Sequence, residues 1–291
     1  MKEWPSGAVS GPQSQAAWAG HREAVMKVER VLTPGPAVSE PRLGATPPAQ
    51  PAAAGSPRAW GEVAVNVLAV ATFVAMLAAL YGIFIYAPPE RVQGDVQRIF
   101  YVHLSLAWLA YLAFFVVFVC SVLYLWRRAD RWDQIAAASA ELGVLFTTLV
   151  LVTGVLWGRP VWGVWWTWDA RLTTTLVLWF LYAGYLMLRA YAAEAGRTGR
   201  VAAVVGIVAF LDVPVVQLSV TWWRTLHPQP SVITANGTML PAQMVQVLVL
   251  TLLAFTLLYS YLLIQRVRLE GLRREVASLR ERIGWGDDAD V

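Results

Sequence analysis

Five tryptophans fall within twelve residues of this chain, in the run Trp157-Gly-Arg-Pro-Val-Trp162-Gly-Val-Trp165-Trp166-Thr-Trp168, which continues into Asp169, Ala170 and Arg171. Indoles favour the headgroup level of a membrane, so one reading is an interfacial aromatic belt. A belt needs one or two tryptophans at each helix end, spread around the protein, and five in one connection exceed that. Gly158 and Gly163 permit the tight turns that would fold such a stretch into a surface. A surface of indoles suits a large, flat, apolar ligand. Arg159 and Arg171 flank it, and guanidinium groups grip carboxylates in bidentate fashion. Asp169 is placed to orient Arg171 or to cap the helix that follows.

The histidines add a metal to this picture. There are three, His21, His103 and His227. A lone histidine near a helix end is usually structural. Two of these three, however, fall on the tryptophan side of the chain, as the topology below requires. Imidazole ligates iron well, and haem combines a flat apolar macrocycle, two carboxylates and an iron that takes axial ligands. The single cysteine, Cys120, excludes a disulfide framework within the chain, a thiolate zinc site and a CxxC redox pair. No nucleophile–base pair, phosphate-binding loop or metal-hydrolase spacing is present, so the expectation is a binding protein without catalytic turnover.

The elements that must carry these residues are membrane helices. Of the 291 residues, 57% are hydrophobic and 14% are charged, against about 25% charged in a soluble domain. Six apolar runs are each long enough to cross a bilayer: roughly 63–86, 100–126, 138–157, 172–190, 201–221 and 241–264. They are continuous rather than alternating, which excludes a β-barrel, and backbone groups in lipid must be paired within the segment. The expected fold is an all-α polytopic membrane protein with six transmembrane helices. Arginine clusters at 127, 128 and 131, at 189, 197 and 200, and along 266–282 mark one side of the membrane. The other side has Arg91, Arg98, Arg159, Arg171 and Arg224. Both termini are therefore expected in the cytoplasm, with the tryptophans and both helix-associated histidines outside. The net charge of +4 is mostly this topology signal and gives no argument for nucleic acid.

Three regions follow. Residues 1–58 hold nine of the sixteen prolines and no periodic apolar pattern, and read as a disordered tail. Residues 59–265 form the six-helix domain. Residues 266–291 read as a cytoplasmic amphipathic tail, in which Leu269, Leu272, Val276, Leu279 and Ile283 repeat at 3-4-3-4 spacing. That stripe could lie on the anionic leaflet or dock on a partner or a second copy. Asp212, two residues before Pro214 in the fifth run, sits where a carboxylate is expensive, and is expected neutral or hydrogen-bonded.

The run WGRPVWGVWWTWDARLT at 157–173 resembles the WWD box of the haem-handling proteins of cytochrome c maturation, and within them the CcmC (haem exporter protein C) family. RIFYVHLSLAW (98–108) and WWRTLHPQP (222–230) resemble that family's two histidine loops. The likeness covers about residues 60–265. It implies six transmembrane helices in the bacterial inner (cytoplasmic) membrane and a site on the extracytoplasmic face. It implies haem b, transiently bound between His103 and His227 as axial ligands, with Trp162, Trp165, Trp166, Trp168 and Asp169 as the platform. It further implies delivery of haem to the chaperone CcmE, within an ABC-type complex with CcmA, CcmB and CcmD. Two departures stand out: Ser105 where the family often has proline, and Asp212 where it has asparagine. Three alternatives are a haem–apocytochrome synthetase component of WWD type, an enzyme that itself catalyses the haem–chaperone bond, and a transmembrane haem transporter.

Overall fold

The computed structural model describes residues 57–194, 198–227 and 240–282. Its helices are α1 (Pro57–Tyr81), α2 (Ile99–Arg127), α3 (Asp130–Trp162), α4 (Ala170–Glu194), α5 (Thr198–Phe210), α6 (Asp212–Trp222) and α7 (Ala242–Arg282). A π-helical turn, Gly82–Tyr86, extends α1, and a 3-10 turn, Asp95–Arg98, leads into α2. Among the described residues there is no strand, only an isolated bridge between Glu90 and Gly94. Among the described residues, six helical segments are long and apolar enough to cross a membrane, α5 and α6 together forming the fifth. The protein is an all-α polytopic membrane protein.

The helices differ from the expected runs in three places, each with a physical cause. The third run was expected to end near residue 157, but α3 continues to Trp162 with Pro160 inside it. The helix stops at Gly163, whose φ of 77° is left-handed and whose N–H bonds the Arg159 carbonyl at 3.0 Å. The fifth run breaks at Leu211. Pro214 has no N–H to offer the helix, and its ring crowds the carbonyl four residues back, at Phe210. Asp212, expected neutral or hydrogen-bonded, thus stands in the first turn of α6, and its Oδ2 is buried without a hydrogen-bond partner. The sixth run does not stop near residue 264: α7 is one helix of 41 residues. Leu269, Leu272, Val276 and Leu279 lie exposed along its distal part. Ile283 and the tail beyond it, like residues 1–56 and His21, lie outside the described residues.

Packing fixes the registers that matter for the site. The α2–α3 link is only residues 128–129, with Arg128 left-handed at φ 56°, which forces the two helices into an antiparallel pair. Gly143 of α3 lets Phe114 of α2 lie against it; a Cβ there would sit 2.4 Å from Phe114 Cε1. Phe114 in turn stacks on Tyr182 of α4 at 3.7 Å between ring centroids. Ser139 donates to the Ala113 carbonyl at 2.7 Å, so Tyr259 of α7 must be the donor in its 2.8 Å contact with the same hydroxyl. That one serine ties three helices. Two bidentate ion pairs lock the opposite end from the tryptophans: Arg189 with Asp133 at 2.6 and 2.7 Å, and Arg266 with Glu141 at 2.5 and 2.7 Å.

Candidate functional site

The α2–α3 register places His103, in the second turn of α2, against the last turns of α3. Its Nδ1 lies 2.8 Å from the Thr153 hydroxyl. Thr153 has one hydroxyl hydrogen, and its oxygen is also 2.7 Å from the Leu149 carbonyl. Two oxygens at that distance need a hydrogen between them, so the hydroxyl donates to Leu149 and can only accept from His103. His103 is thereby fixed as the Nδ1–H tautomer, and among the described residues no hydrogen bond reaches its Nε2. Gly154 makes room: a Cβ there would come within 3.2 Å of His103 Cε1. The Trp157 ring meets His103 edge-on at 5.7 Å. Trp157 is held by its Nε1–H to the Gln93 side chain at 3.0 Å. Gln93 is held in turn by Glu90, whose carboxylate accepts the N–H of Val92 and of Gln93 at 2.7 and 2.6 Å. Those backbone bonds keep the Glu90 carboxyl below its ordinary range.

The second histidine is positioned by Asp169. This residue caps α4, its Oδ1 accepting the Arg171 N–H at 2.9 Å and its carbonyl the Thr173 N–H at 2.9 Å. Its Oδ2 accepts the Thr225 hydroxyl and the Leu226 N–H, the latter at 2.7 Å. Thr225 also accepts the His227 N–H at 3.1 Å. One carboxylate therefore fastens the segment after α6 to the start of α4. Burial alone would raise the Asp169 carboxyl, but these donors outweigh it and hold it below the usual range. His227 Nδ1 lies 3.3 Å from Asp169 Oδ1, a charge contact rather than a well-aligned hydrogen bond. The carboxylate can only accept, so its nearness favours the proton on Nδ1, and among the described residues no hydrogen bond reaches Nε2. Burial lowers the His227 pKa despite the opposing pull of Asp169, so the neutral, ligating form prevails.

The indoles divide by exposure. Trp162 meets His227 edge-on at 5.0 Å and lies over Gly158, where a Cβ would approach its ring to 3.1 Å. Trp165 and Trp168 are exposed, and Trp168 meets the half-buried Trp166 edge-on at 5.6 Å. The buried Trp166 Nε1 has no partner. The expected loop from 157 to 171 is thus split: Trp157, Arg159 and Trp162 stand on α3, and only 163–169 is irregular. Arg159 turns back to the Gly163 carbonyl and lies over the Trp165 ring at 5.8 Å. Arg171 reaches the Gln217 side chain at 3.3 Å and lies within electrostatic reach of both histidines.

The candidate haem-site residues, His103, His227, the five tryptophans, Arg159, Asp169 and Arg171, are thus at one end of the bundle, with both imidazole rings against indoles and within electrostatic reach of a guanidinium. Among the described residues no group of three or more His, Cys, Asp or Glu side chains could hold a bare metal ion. Two imidazoles suit a metal whose other positions are already filled, as in a macrocycle. Sequence reasoning missed Thr153, Gly154, Gln93, Glu90 and Thr225. Only Thr153 carried a signal: it stands one helical turn before Trp157, on the same face.

The profile of the CcmC family, Heme exporter protein C, matches residues 50–282, more than half of the chain and further than the 60–265 read from its motifs. The Heme exporter protein C of Bradyrhizobium diazoefficiens is 38% identical over 213 residues, 73% of this chain and 81% of that protein. A putative cytochrome c biosynthesis ccmC-like mitochondrial protein of Marchantia polymorpha is 35% identical over 196 residues, 67% of this chain and 82% of that protein. The Heme exporter protein C of Escherichia coli K12 is 36% identical over 160 residues, 55% of this chain and 65% of that protein. The family match spans both histidine segments and the tryptophan box, and the chain belongs to the CcmC, or Heme exporter protein C, family.

Proposed function

We propose that this protein binds haem b between His103 and His227 and delivers it to the membrane-anchored chaperone CcmE during maturation of c-type cytochromes. The observation that carries the reading is the pair of imidazoles beside the indoles at one end of the bundle, His103 with Nδ1 bonded to the Thr153 hydroxyl and His227 with Nδ1 3.3 Å from the Asp169 carboxylate. Trp162, Trp165, Trp166 and Trp168 supply apolar faces for the macrocycle, Trp157 braces His103, and Asp169 braces His227. Arg171 is set to meet a haem carboxylate. Arg159, bonded to Gly163, stiffens the Trp165 edge of the platform. Haem supplies the iron, and the chain binds, orients and releases it without turnover of its own. ATP hydrolysis belongs to a partner in an ABC-type complex with CcmA, CcmB and CcmD. The arginine distribution supports a bacterial inner-membrane protein with both termini in the cytoplasm and the haem site outside. The proline content of residues 1–58 and the 3-4-3-4 apolar spacing after residue 265 support the division into a 1–58 tail, a 59–265 domain and a 266–291 tail.

The test is reconstitution. Purified protein loaded with haem is mixed with the purified chaperone, and haem is followed by its visible spectrum after the two are separated. Transfer to the chaperone supports the reading. Retention by this protein, with the chaperone loaded equally fast from free haem, overturns it.

A further inference from the structure

Resting on the haem-binding reading, the surroundings of Arg171 carry a second conclusion. Arg171 stands in the first turn of α4, and side chains of α2 and α6 meet its guanidinium. Its Nη2 donates to the side-chain oxygen of Gln217, on α6, at 3.3 Å. The hydroxyl of Tyr111, half-buried on α2, lies within hydrogen-bonding reach of the same group. Both partners are neutral, and a guanidinium can only donate, so the amide and phenol oxygens accept from it. Among the described residues no carboxylate forms an ion pair with Arg171. Its neighbour Asp169 turns its oxygens to the N–H groups of Arg171 and Leu226, to the Thr225 hydroxyl and to His227. A cation in the first turn of a helix also meets the positive end of the helix dipole, which disfavours it. Neutral acceptors fix the plane of the guanidinium without cancelling its charge, and they leave some of its five N–H donors available. Gln217 lies on a membrane-spanning helix, where a polar side chain needs a polar partner, and Arg171 is that partner. Arg171 is within electrostatic reach of both histidines, so an anion held by it lies beside a ligand clasped between them.

We propose that Gln217 and Tyr111 are positioning residues that hold Arg171 ready for a free haem carboxylate, so that the site selects a porphyrin bearing carboxylates over its neutral ester. A carboxylate gains bidentate, charge-assisted bonds from a guanidinium already held in place. An ester is a weaker acceptor and brings no charge. Ligation of iron by His103 and His227 is the same for both molecules, so the ratio of their affinities isolates the carboxylate contact.

The experiment titrates the full-length protein, purified in detergent without haem, with haemin and with haemin dimethyl ester, each followed in the Soret band. Wild type should bind haemin about tenfold more tightly or more, the worth of one hydrogen bond to a charged group. Arg171→Gln should bring that preference close to one. Gln217→Leu and Tyr111→Phe should each lower it by about threefold or more, with affinity for the ester unchanged. Gln217→Glu keeps an acceptor for Arg171 but adds the anion that the site lacks, so it too should lower the preference; a purely structural hydrogen bond would survive it. Equal affinities in wild type overturn the proposal. So does a wild-type preference in Arg171→Gln, or in both Gln217→Leu and Tyr111→Phe. Where Gln217→Leu does not accumulate, Gln217→Glu decides, and an undiminished preference there overturns the proposal. A wild-type protein without a low-spin, two-imidazole spectrum would overturn the haem-ligand reading itself. Equal affinities with that spectrum intact are a separate result, confined to Arg171 and its two supports.

Discussion

Replacing Asp169 by Asn changes one atom's chemistry and tests how the site is held. Oδ2 now accepts the Thr225 hydroxyl and the Leu226 N–H, and Oδ1 accepts the Arg171 N–H and faces His227 Nδ1. An amide has one oxygen for these two sets of donors. Whichever way it flips, its NH2 points at a hydrogen that needed an acceptor. Leaving one such buried donor unsatisfied costs about 1–3 kcal/mol. At about 1.4 kcal/mol per tenfold, haem affinity should fall by roughly 5- to 150-fold if the cost is paid mainly in the bound arrangement. Haem titration of the purified variant, read in the Soret band, measures this directly. Because the Asp169 carboxyl sits below its ordinary range, the wild-type contribution is present above about pH 3.9, the unfolded value. It is lost only as pH falls through the depressed folded one, so the deficit of the variant should be constant from pH 7 to 8. Affinity within twofold of wild type would refute the claim that this carboxylate organises the His227 segment.

Three further outcomes follow from the same geometry. Trp162→Ala should weaken haem binding more than Trp162→Phe, since a phenyl ring keeps an edge contact worth about 0.5–1.5 kcal/mol beyond its buried area; equal tolerance in haem titrations would return the indole to a membrane belt. Gly143→Val should lower the yield of monodisperse protein by overpacking worth about 1–3 kcal/mol, because the new Cβ meets Phe114 at 2.4 Å; size-exclusion chromatography in detergent gives the answer. The His227 pKa is lowered, so protonation should not compete for Nε2 until the pH falls below the unfolded value of about 6.5; an acid titration of bound haem should therefore show it retained at pH 6.5 and released below.

The sequence made the six spans legible because uninterrupted apolar runs have one solution in lipid. It also placed both histidines with the tryptophans, since the arginine bias sets which loops share a side. The extent of α3 was not legible: Pro160 and two glycines look like a loop, yet the helix ends only where Gly163 can turn left-handed. The supports of the histidines were hidden for a different reason. Thr153 and Asp169 act across 50 and 58 positions of chain, on His103 and His227, through registers set by Gly143 under Phe114 and by the cap of α4. No local pattern encodes such a pairing. Likewise, Asp212 read as a neutral or hydrogen-bonded residue within one continuous span, and the break at Leu211 places it in the first turn of a half-helix.

The most direct measurement is the visible and electron paramagnetic resonance spectrum of the purified protein carrying haem, compared with His103→Ala, His227→Ala and the double variant. The account predicts a low-spin spectrum of two imidazole ligands in wild type. Each single variant should lose that spectrum, and the double variant should bind no haem, with all four proteins inserted equally in the membrane. A low-spin, two-imidazole spectrum persisting in the double variant would contradict it.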